Sequence, residues 1–312
     1  MSGEIQVDTT RAWLIAIRPH TLPAGAAPVA VGTAVAAAEG VLAIGPALAA
    51  LVGALLIQIG TNLANDYFDA KSGVDAADRE GFTRVTHRGL IPPRRVRLGM
   101  IGSFIAAIVV GTYLVWIGGI PIVVIGLVSV LCGVAYAGGP FPFGSYGLGD
   151  AFVFLFFGIV AVTGTYYVQA VTALSEAFPL WLPPGIAWEL ALVASLPMGA
   201  LTTAILVVNN LRDIHTDRRA GKLTLAVMVG PYWTKAEYIG LLAIAYAVPI
   251  GLFHRNSGPI VLLPLVTLPV AIVLASNVLG FEDPDELNRT LSRTGQLLVG
   301  YAACFAIGVV IA

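Results

Sequence analysis

The 312-residue chain is too apolar to be a water-soluble globular protein, because 57% of its residues are hydrophobic and only 11% are charged, whereas roughly 45–50% of residues are apolar in soluble domains. Its net charge of −1 indicates no particular partner by itself, and we expect the protein to bind no nucleic acid. The composition predicts a protein that is embedded in a lipid bilayer.

Uncharged stretches long enough to cross a bilayer follow one another along the chain. They cover residues 19–38, 40–65, 98–149, 151–175, 190–211, 238–254, 256–281 and 294–312. Because a helix needs about 20 residues to cross the hydrocarbon, the stretch 98–149 must contain two helices, broken near Gly118, Gly119 and Pro121. We therefore predict a single all-α domain over residues 1–312, with nine transmembrane helices in a bundle around a central cavity.

The distribution of Lys and Arg predicts the orientation of these helices. With the N-terminus in the cytoplasm, 16 of the 17 Lys and Arg residues fall on the cytoplasmic side, and only Arg255 lies on the other. The positive-inside rule favours this arrangement. We expect a multi-pass protein of the cell inner (plasma) membrane, with its N-terminus and the mouth of its active site in the cytoplasm.

The first of two acidic motifs ends the second predicted helix. Asn62, Asp66 and Asp69 stand at positions i, i+4 and i+7, which share one face of a helix. Asp75 follows after Gly73, a residue that we expect to break the helix. Acidic groups at the ends of membrane helices are costly, and they indicate a functional site.

The second motif ends the sixth predicted helix and repeats the same residue types. Asn209, Asp213 and Asp217 stand at i, i+4 and i+8, and Asn210 lies close to the same face. Because an even number of helices separates the two motifs, both reach the same side of the membrane. We predict that they converge on one site.

Carboxylates that share a site repel one another unless cations neutralise them. Hard oxygen ligands suit Mg²⁺, which commonly bridges carboxylates to the phosphates of a substrate. We therefore expect two Mg²⁺ ions, for which Mn²⁺ can substitute, with a diphosphate held between them. Basic side chains would add positive charge at the diphosphate; the candidates are Lys71, Arg79, Arg212 and Lys222. If the ester is allylic, departure of the diphosphate leaves a stabilised carbocation that an electron-rich partner can attack.

These motifs resemble those of the UbiA-type superfamily of intramembrane prenyltransferases, and the resemblance covers nearly the whole chain. Within the superfamily, the chain is most similar to the 1,4-dihydroxy-2-naphthoate polyprenyltransferases of menaquinone synthesis. The matching stretches are residues 18–23 (RPHTLP), 65–75 (NDYFDAKSGVD), 136–140 (YAGGP), 147–150 (GLGD) and 209–225, which run from NNLRD to GKLTL.

The resemblance implies a Mg²⁺-dependent prenyltransferase. It would transfer a polyprenyl group from an allylic polyprenyl diphosphate to 1,4-dihydroxy-2-naphthoate, with loss of CO₂ to give demethylmenaquinone. The implied metal ligands are Asp66, Asp69, Asp213 and Asp217, assisted by Asn62 and Asp75. Tyr136 would lie near the reacting prenyl carbon, and Asn209 and Asn210 would contact substrate or orient the carboxylates.

The aromatic acceptor needs a cation for its carboxylate and a base for a phenolic proton. Arg84 is the first candidate for the carboxylate. His20, His87 or a carboxylate could hold or remove the proton, and His20 could also bind the acceptor. Aromatic residues of the fifth helix could wall an apolar tunnel for the isoprenoid; these are Phe152, Phe154, Phe156, Phe157, Tyr166 and Tyr167.

Three alternatives share parts of this pattern. A related prenyltransferase would use another acceptor, such as 4-hydroxybenzoate or homogentisate. A terpene cyclase of the same superfamily would use the same metal site with no acceptor. A transporter would also place polar groups in the membrane, although its charges would be expected near the midplane rather than at one face. No oligomeric state is predicted.

Overall fold

The computed structural model describes residues 8–72, 85–86, 88–136, 138, 142–174, 178–255, 257–281 and 283–312. Within these ranges the regular structure is entirely helical. The helices are α1 (Thr9–Ile17), α2 (Leu22–Ala38), α3 (Ile44–Ser72), α4 (Pro93–Ala135), α5 (Gly149–Leu174), α6 (Trp188–Arg212), α7 (Ile214–Arg219), α8 (Leu225–His254), α9 (Pro259–Gly280) and α10 (Pro284–Ile311).

The 43-residue helix α4 is two membrane spans rather than one. A Cβ atom on Gly133 would lie 3.4 Å from the ring of Phe104, although a straight helix would separate these residues by about 43 Å. The two arms therefore fold back on each other. The reversal occurs at Gly119, whose φ of 62° and ψ of −149° are not helical.

Eight helices in the described part of the chain are long and apolar enough to span a membrane. Counting the two arms of α4 separately gives nine spanning segments, as the sequence predicts. The break also falls where it is expected, between Gly118 and Pro121. The count is eight when α4 is taken as one helix, and nine when the turn at Gly119 divides it into two spans.

Several helices begin or end outside the predicted spans. α3 runs on to Ser72, α8 begins at Leu225, and α10 begins at Pro284. The predicted spans stop at charged residues, but a helix can extend into the headgroup region and keep its backbone hydrogen bonds. Lys235 lies in the part of α8 that precedes the predicted span. Its charged Nζ is satisfied there by a hydrogen bond of 2.8 Å to the carbonyl of Leu279.

Two structural features position the functional residues. The short helix α1, which was not predicted, packs Trp13 against Gly99 at the start of α4. α6 is the most buried of the long helices, with 72% of its most apolar window inside the protein. Since α6 is surrounded by protein, its C-terminal motif is held in a fixed position relative to α3.

We expect Gly119→Ala to destabilise the protein. A Cβ atom at this position would lie 1.9 Å from the carbonyl oxygen of Pro179, and a non-glycine residue at a positive φ costs about 1–3 kcal/mol even without a clash. The midpoint of thermal unfolding in detergent measures the effect. Gly102→Ala in the first arm is the control, because no atom lies within 4 Å of its Cβ position; equal midpoints for the two variants would contradict the role of Gly119.

Candidate active site

One large cavity, with a volume of about 790 Å³, opens between α2, α3, α4, α5, α6 and α10. Its polar end lies where α3 and α6 end, and its wall there includes Asp69, Asp217 and Lys222. Its far end is apolar and includes Leu114, Val115 and Ile122 near the reversal of α4. The cavity therefore suits an amphipathic molecule with a charged head and a hydrocarbon tail.

The two acidic motifs meet at the polar end. Nζ of Lys222, which follows the second motif, lies 3.3 Å from Oδ1 of Asp69 in the first. Gly221 has a φ of 73°, which turns the chain after α7, and the backbone N–H of Lys222 then donates to the carbonyl of Asp217 at 2.9 Å. This turn brings Lys222 beside Asp217 and directs its side chain across to α3.

In the first motif, the residues that line the cavity are Asn62, Asn65 and Asp69. This differs from the predicted face in one residue, because Asp66 does not line the cavity. Oδ1 of Asp66 accepts a hydrogen bond of 2.7 Å from the hydroxyl of Thr86. At 3.6 residues per turn, Asn62, Asn65 and Asp69 fall within about 60° of one another, and Asp66 projects outside that sector.

Asn65 is the site residue that sequence reasoning overlooked. Its side chain lines the cavity but has no hydrogen-bond partner in the described structure, and the same is true of Asn210 and Tyr136. Buried polar groups are normally hydrogen-bonded. These three groups are therefore available to bind a ligand. The signal in the sequence was the i, i+4 spacing between Asn65 and Asp69, which matches that between Asn209 and Asp213.

In the second motif, Arg212 connects residues within the protein. Its Nε and Nη2 donate to the two carboxylate oxygens of Asp213 at 2.7 and 2.8 Å. Nη2 also donates to Oδ1 of Asn209 at 2.8 Å. Nη1 donates to Oδ1 of Asn288 on α10 at 2.9 Å. Arg212 and Asp213 are only 4% and 1% exposed. Arg212 thus fastens the end of α6 to α10. It also lines the cavity, so its predicted contact with a diphosphate stays a prediction.

Asp213 also lies behind the cavity wall, while Asn209, Asn210 and Asp217 line it. Both carboxylate oxygens of Asp213 accept hydrogen bonds from Arg212. The two motifs therefore share one pattern. Each presents one aspartate to the cavity, Asp69 or Asp217, and holds a second aspartate against a protein donor.

The remaining predicted residues fall into three groups. Tyr136 and His20 line the cavity, and burial together with the nearby Asp150, Asp217 and Asp69 carboxylates raises the pKa of Tyr136, so that its phenol stays neutral and can donate a hydrogen bond. Lys71 is exposed at the end of α3 and does not line the cavity. The last group lies outside the described residues; it consists of Asp75, Arg79, Arg84 and His87.

Half of the aromatic residues predicted for the tunnel line it. Phe152, Phe156 and Phe157 contribute to the wall, and the rings of Phe152 and Phe156 are stacked with centroids 5.9 Å apart. The other three pack inside the protein: Phe154 contacts Gly199, and the rings of Tyr166 and Tyr167 contact Trp188. Helix α5 is π-helical over Phe154–Val160, so a regular helical spacing does not predict which rings face the cavity.

The polar groups at the cavity mouth suit a hard divalent cation. Among the described residues, no group of three or more His, Cys, Asp and Glu side chains could hold a metal by itself. Asp69, Asp217 and the neighbouring Asn amides supply oxygen donors only. Such a partial set is typical of Mg²⁺ sites, where waters and substrate phosphates complete the coordination.

Comparison with known proteins gives consistent matches. The model of the UbiA prenyltransferase family matches residues 26–309. The chain is 36% identical to the 1,4-dihydroxy-2-naphthoate octaprenyltransferase of Mycobacterium tuberculosis, over 94% of this chain and 95% of that protein. It is 34% identical to the enzyme of the same name from Escherichia coli, over 98% and 97% of the two chains.

Solved structures share the fold at lower sequence identity. A UbiA homolog from Aeropyrum pernix K1 superposes with a TM-score of 0.66 at 13% identity, over 89% of this chain and 96% of that one. A UbiA homolog from Archaeoglobus fulgidus, bound to GPP and Mg²⁺, superposes with a TM-score of 0.62 at 15% identity, over 96% and 100% of the chains.

We expect Arg212→Met to lower stability, because it removes the guanidinium that donates to both carboxylate oxygens of the buried Asp213. Breaking a buried ion pair in this way costs roughly 3–5 kcal/mol. The double variant Arg212→Met/Asp213→Asn should recover much of the loss, as measured by the thermal midpoint in detergent. Arg219→Met, at an exposed position on α7, is the control. An unchanged midpoint for Arg212→Met would show that Arg212 does not stabilise the end of α6.

Proposed function

The chain belongs to the UbiA prenyltransferase family and is a multi-pass membrane prenyltransferase, and we propose that it transfers a polyprenyl group from an allylic polyprenyl diphosphate to 1,4-dihydroxy-2-naphthoate. The whole of residues 1–312 would form a single domain of this family. The observation that supports the proposal best is the polarity of the cavity. Carboxylates, amides and Lys222 converge at one end, and an apolar tunnel with Phe152, Phe156 and Phe157 in its wall leads away from them.

We further propose that two Mg²⁺ ions, replaceable by Mn²⁺, bind at the polar end. Bound Mg²⁺ would neutralise the diphosphate and make it a better leaving group. Asp69 and Asp217 are the first candidates for ligands because they face the cavity, with Asn65, Asn62 and Asp75 assisting. The two aspartates behind the wall, Asp66 and Asp213, would act mainly by fixing the ends of α3 and α6.

The side chains of this protein would serve the reaction in separate ways. Nζ of Lys222 is placed to donate to a diphosphate oxygen as the C1–O bond breaks and the electron pair leaves with the diphosphate. The neutral phenol of Tyr136 can donate a hydrogen bond in the same part of the cavity. His20 lies in the cavity wall and can hold a phenolic proton of the acceptor.

The acceptor would supply the new bond from its own ring. Its two oxygens enrich the ring carbon that bears the carboxylate in electrons, so that this carbon can form a bond to prenyl C1. Loss of CO₂ then returns the electron pair of the broken C–C bond to the ring. The immediate product is the hydroquinone form of demethylmenaquinone, and no oxidant is consumed.

We also propose that the protein resides in the cell inner membrane with the polar end of the cavity toward the cytoplasm. Basic residues near the ends of the motif helices support this orientation. Among the described residues, the exposed ones in this region include Arg88, Arg94, Arg95, Arg97, Arg218 and Arg219, whereas Arg212 is buried.

Supplied with geranylgeranyl diphosphate, the protein should prenylate 1,4-dihydroxy-2-naphthoate in preference to 4-hydroxybenzoate and homogentisate. The products, identified by mass spectrometry, should have lost CO₂ relative to simple addition. A preference for 4-hydroxybenzoate or homogentisate would overturn the acceptor, and a cyclised terpene formed with no acceptor would indicate a cyclase. Metal-dependent uptake of a solute without any new product would indicate a transporter.

Activity should require Mg²⁺ or Mn²⁺, and Asp69→Asn or Asp217→Asn should lower it by about 10²–10³, because each removes charge at the place where the diphosphate departs. Asp66→Asn is the matched variant on the same helix. It keeps an oxygen that can accept from Thr86, and it should retain activity within about tenfold of wild type. Full activity in membranes treated with EDTA, or an equal loss in Asp66→Asn and Asp69→Asn, would contradict this assignment.

A further inference from the structure

Arg18 has a backbone conformation that is unusual for its residue type. It ends α1 with a φ of 55° and a ψ of 69°, in the left-handed region, and Pro19 follows it. Such conformations cost about 1–3 kcal/mol for residues other than glycine, and they persist where the surrounding structure enforces them. Strain of this kind is concentrated at functional sites.

Five hydrogen bonds enforce this conformation. Within the turn, the N–H of Arg18 donates to the carbonyl of Leu14 at 3.2 Å, and both the N–H and the hydroxyl of Thr21 donate to the carbonyl of Arg18 at 2.9 Å. From α3, Nδ2 of Asn62 donates to the carbonyl of Ile17 at 2.9 Å and to the hydroxyl of Thr21 at 2.8 Å. Asn62 thus belongs to the first motif and also holds the strained turn.

The turn brings a cation, Arg18, to the cavity wall. Arg18 is half-buried and lines the cavity together with His20. The contact with α3 is at Asn62, seven residues before Asp69 and therefore about 10 Å away along the helix axis. At the mouth itself, Lys222 pairs with Asp69. The cavity wall therefore contains Arg18, on the turn between α1 and α2, in addition to Arg212 and Lys222 near the ends of the motif helices.

We propose that Arg18 binds the carboxylate of the aromatic acceptor and that Asn62 positions it. The proposal rests on the proposed function in that it assumes an acceptor that is an aromatic carboxylate. A guanidinium matches a carboxylate with two parallel hydrogen bonds, and their attraction is stronger in a cavity from which water is partly excluded. The predicted candidate for this role, Arg84, lies outside the described residues.

This role predicts an effect on binding rather than on the chemical step. The carboxylate keeps its charge until the new C–C bond has formed and CO₂ leaves, so a cation that holds it stabilises the bound acceptor and the transition state of prenyl transfer about equally. Removal of Arg18 should therefore raise KM for the acceptor and leave kcat little changed. KM for the prenyl diphosphate should stay within about twofold of the wild-type value.

Two inhibitors that differ in the carboxylate alone make the test specific. In Arg18→Ala, the inhibition constant of 1-hydroxy-2-naphthoate should rise by about tenfold or more, since a charged hydrogen bond contributes roughly 1.5–3 kcal/mol. Inhibition by 1-naphthol, which has no carboxylate, should stay within about twofold. Arg18→Lys should recover part of the loss. Arg11→Ala, at an exposed position on α1, is the matched control and should behave as wild type.

Three results would overturn the proposal: equal weakening of both inhibitors, a rise in KM for the prenyl diphosphate, or an Arg18→Ala variant that binds 1-hydroxy-2-naphthoate as wild type does. A wild-type protein that prefers 4-hydroxybenzoate would refute the naphthoate assignment but not the role of Arg18, because that acceptor also carries a carboxylate. Its KM should then rise in Arg18→Ala.

Asn62→Leu tests the positioning role. The substitution removes both hydrogen bonds to the turn, so it should raise KM for the acceptor in the same direction as Arg18→Ala and by a smaller factor. The double variant should be no worse than Arg18→Ala alone, since the two residues act through one group. Because Asn62 is also a proposed Mg²⁺ ligand, KM for the prenyl diphosphate is expected to rise as well. An Asn62→Leu variant whose KM for the acceptor is unchanged would contradict the positioning role.

Discussion

The contact between Lys222 and Asp69 is the interaction on which the arrangement of the site depends. It joins the end of α3 to the turn after α7, across the mouth of the cavity, at 3.3 Å. Charged groups near the hydrocarbon are costly unless they are paired or solvated. The motif aspartates follow this rule, since Asp66 accepts a hydrogen bond from Thr86 and Asp213 accepts one from Arg212. The charges of the two motifs are therefore gathered at the cavity mouth, where they also compensate one another.

The same constraint explains how binding and structure are divided within each motif. One aspartate is held against a protein donor and fixes a helix end, and the other faces the cavity. The unpartnered amides of Asn65 and Asn210 lie in the same wall. A ligand that brings its own negative charge and its own cations would complete this set, whereas a neutral solute would bring neither. This favours a diphosphate ester over the cargo of a transporter.

The sequence predicted the features that depend on local composition. Apolar runs identified the spans, the glycines near residue 119 identified the reversal of α4, and the even number of spans between the motifs brought both to one end. It did not predict that Asn65 rather than Asp66 faces the cavity. The two residues lie about 60° and 40° to either side of Asn62 on the helix, and spacing alone does not tell which side faces the cavity. The partner of Arg212 is Asn288, 76 residues away, and the conformation of Arg18 depends on Asn62. Contacts of this range leave no periodic signal.

The central claim is that the two motifs form one diphosphate site, and calorimetric titration of the purified protein with inorganic diphosphate in Mg²⁺ tests it directly. We expect Asp69→Asn and Asp217→Asn each to lose most of the affinity, and the double variant to lose little more than either, because residues that share a ligand are coupled rather than additive. Losses that add in the double variant, or tight binding that persists after Mg²⁺ is removed, would contradict a single shared site.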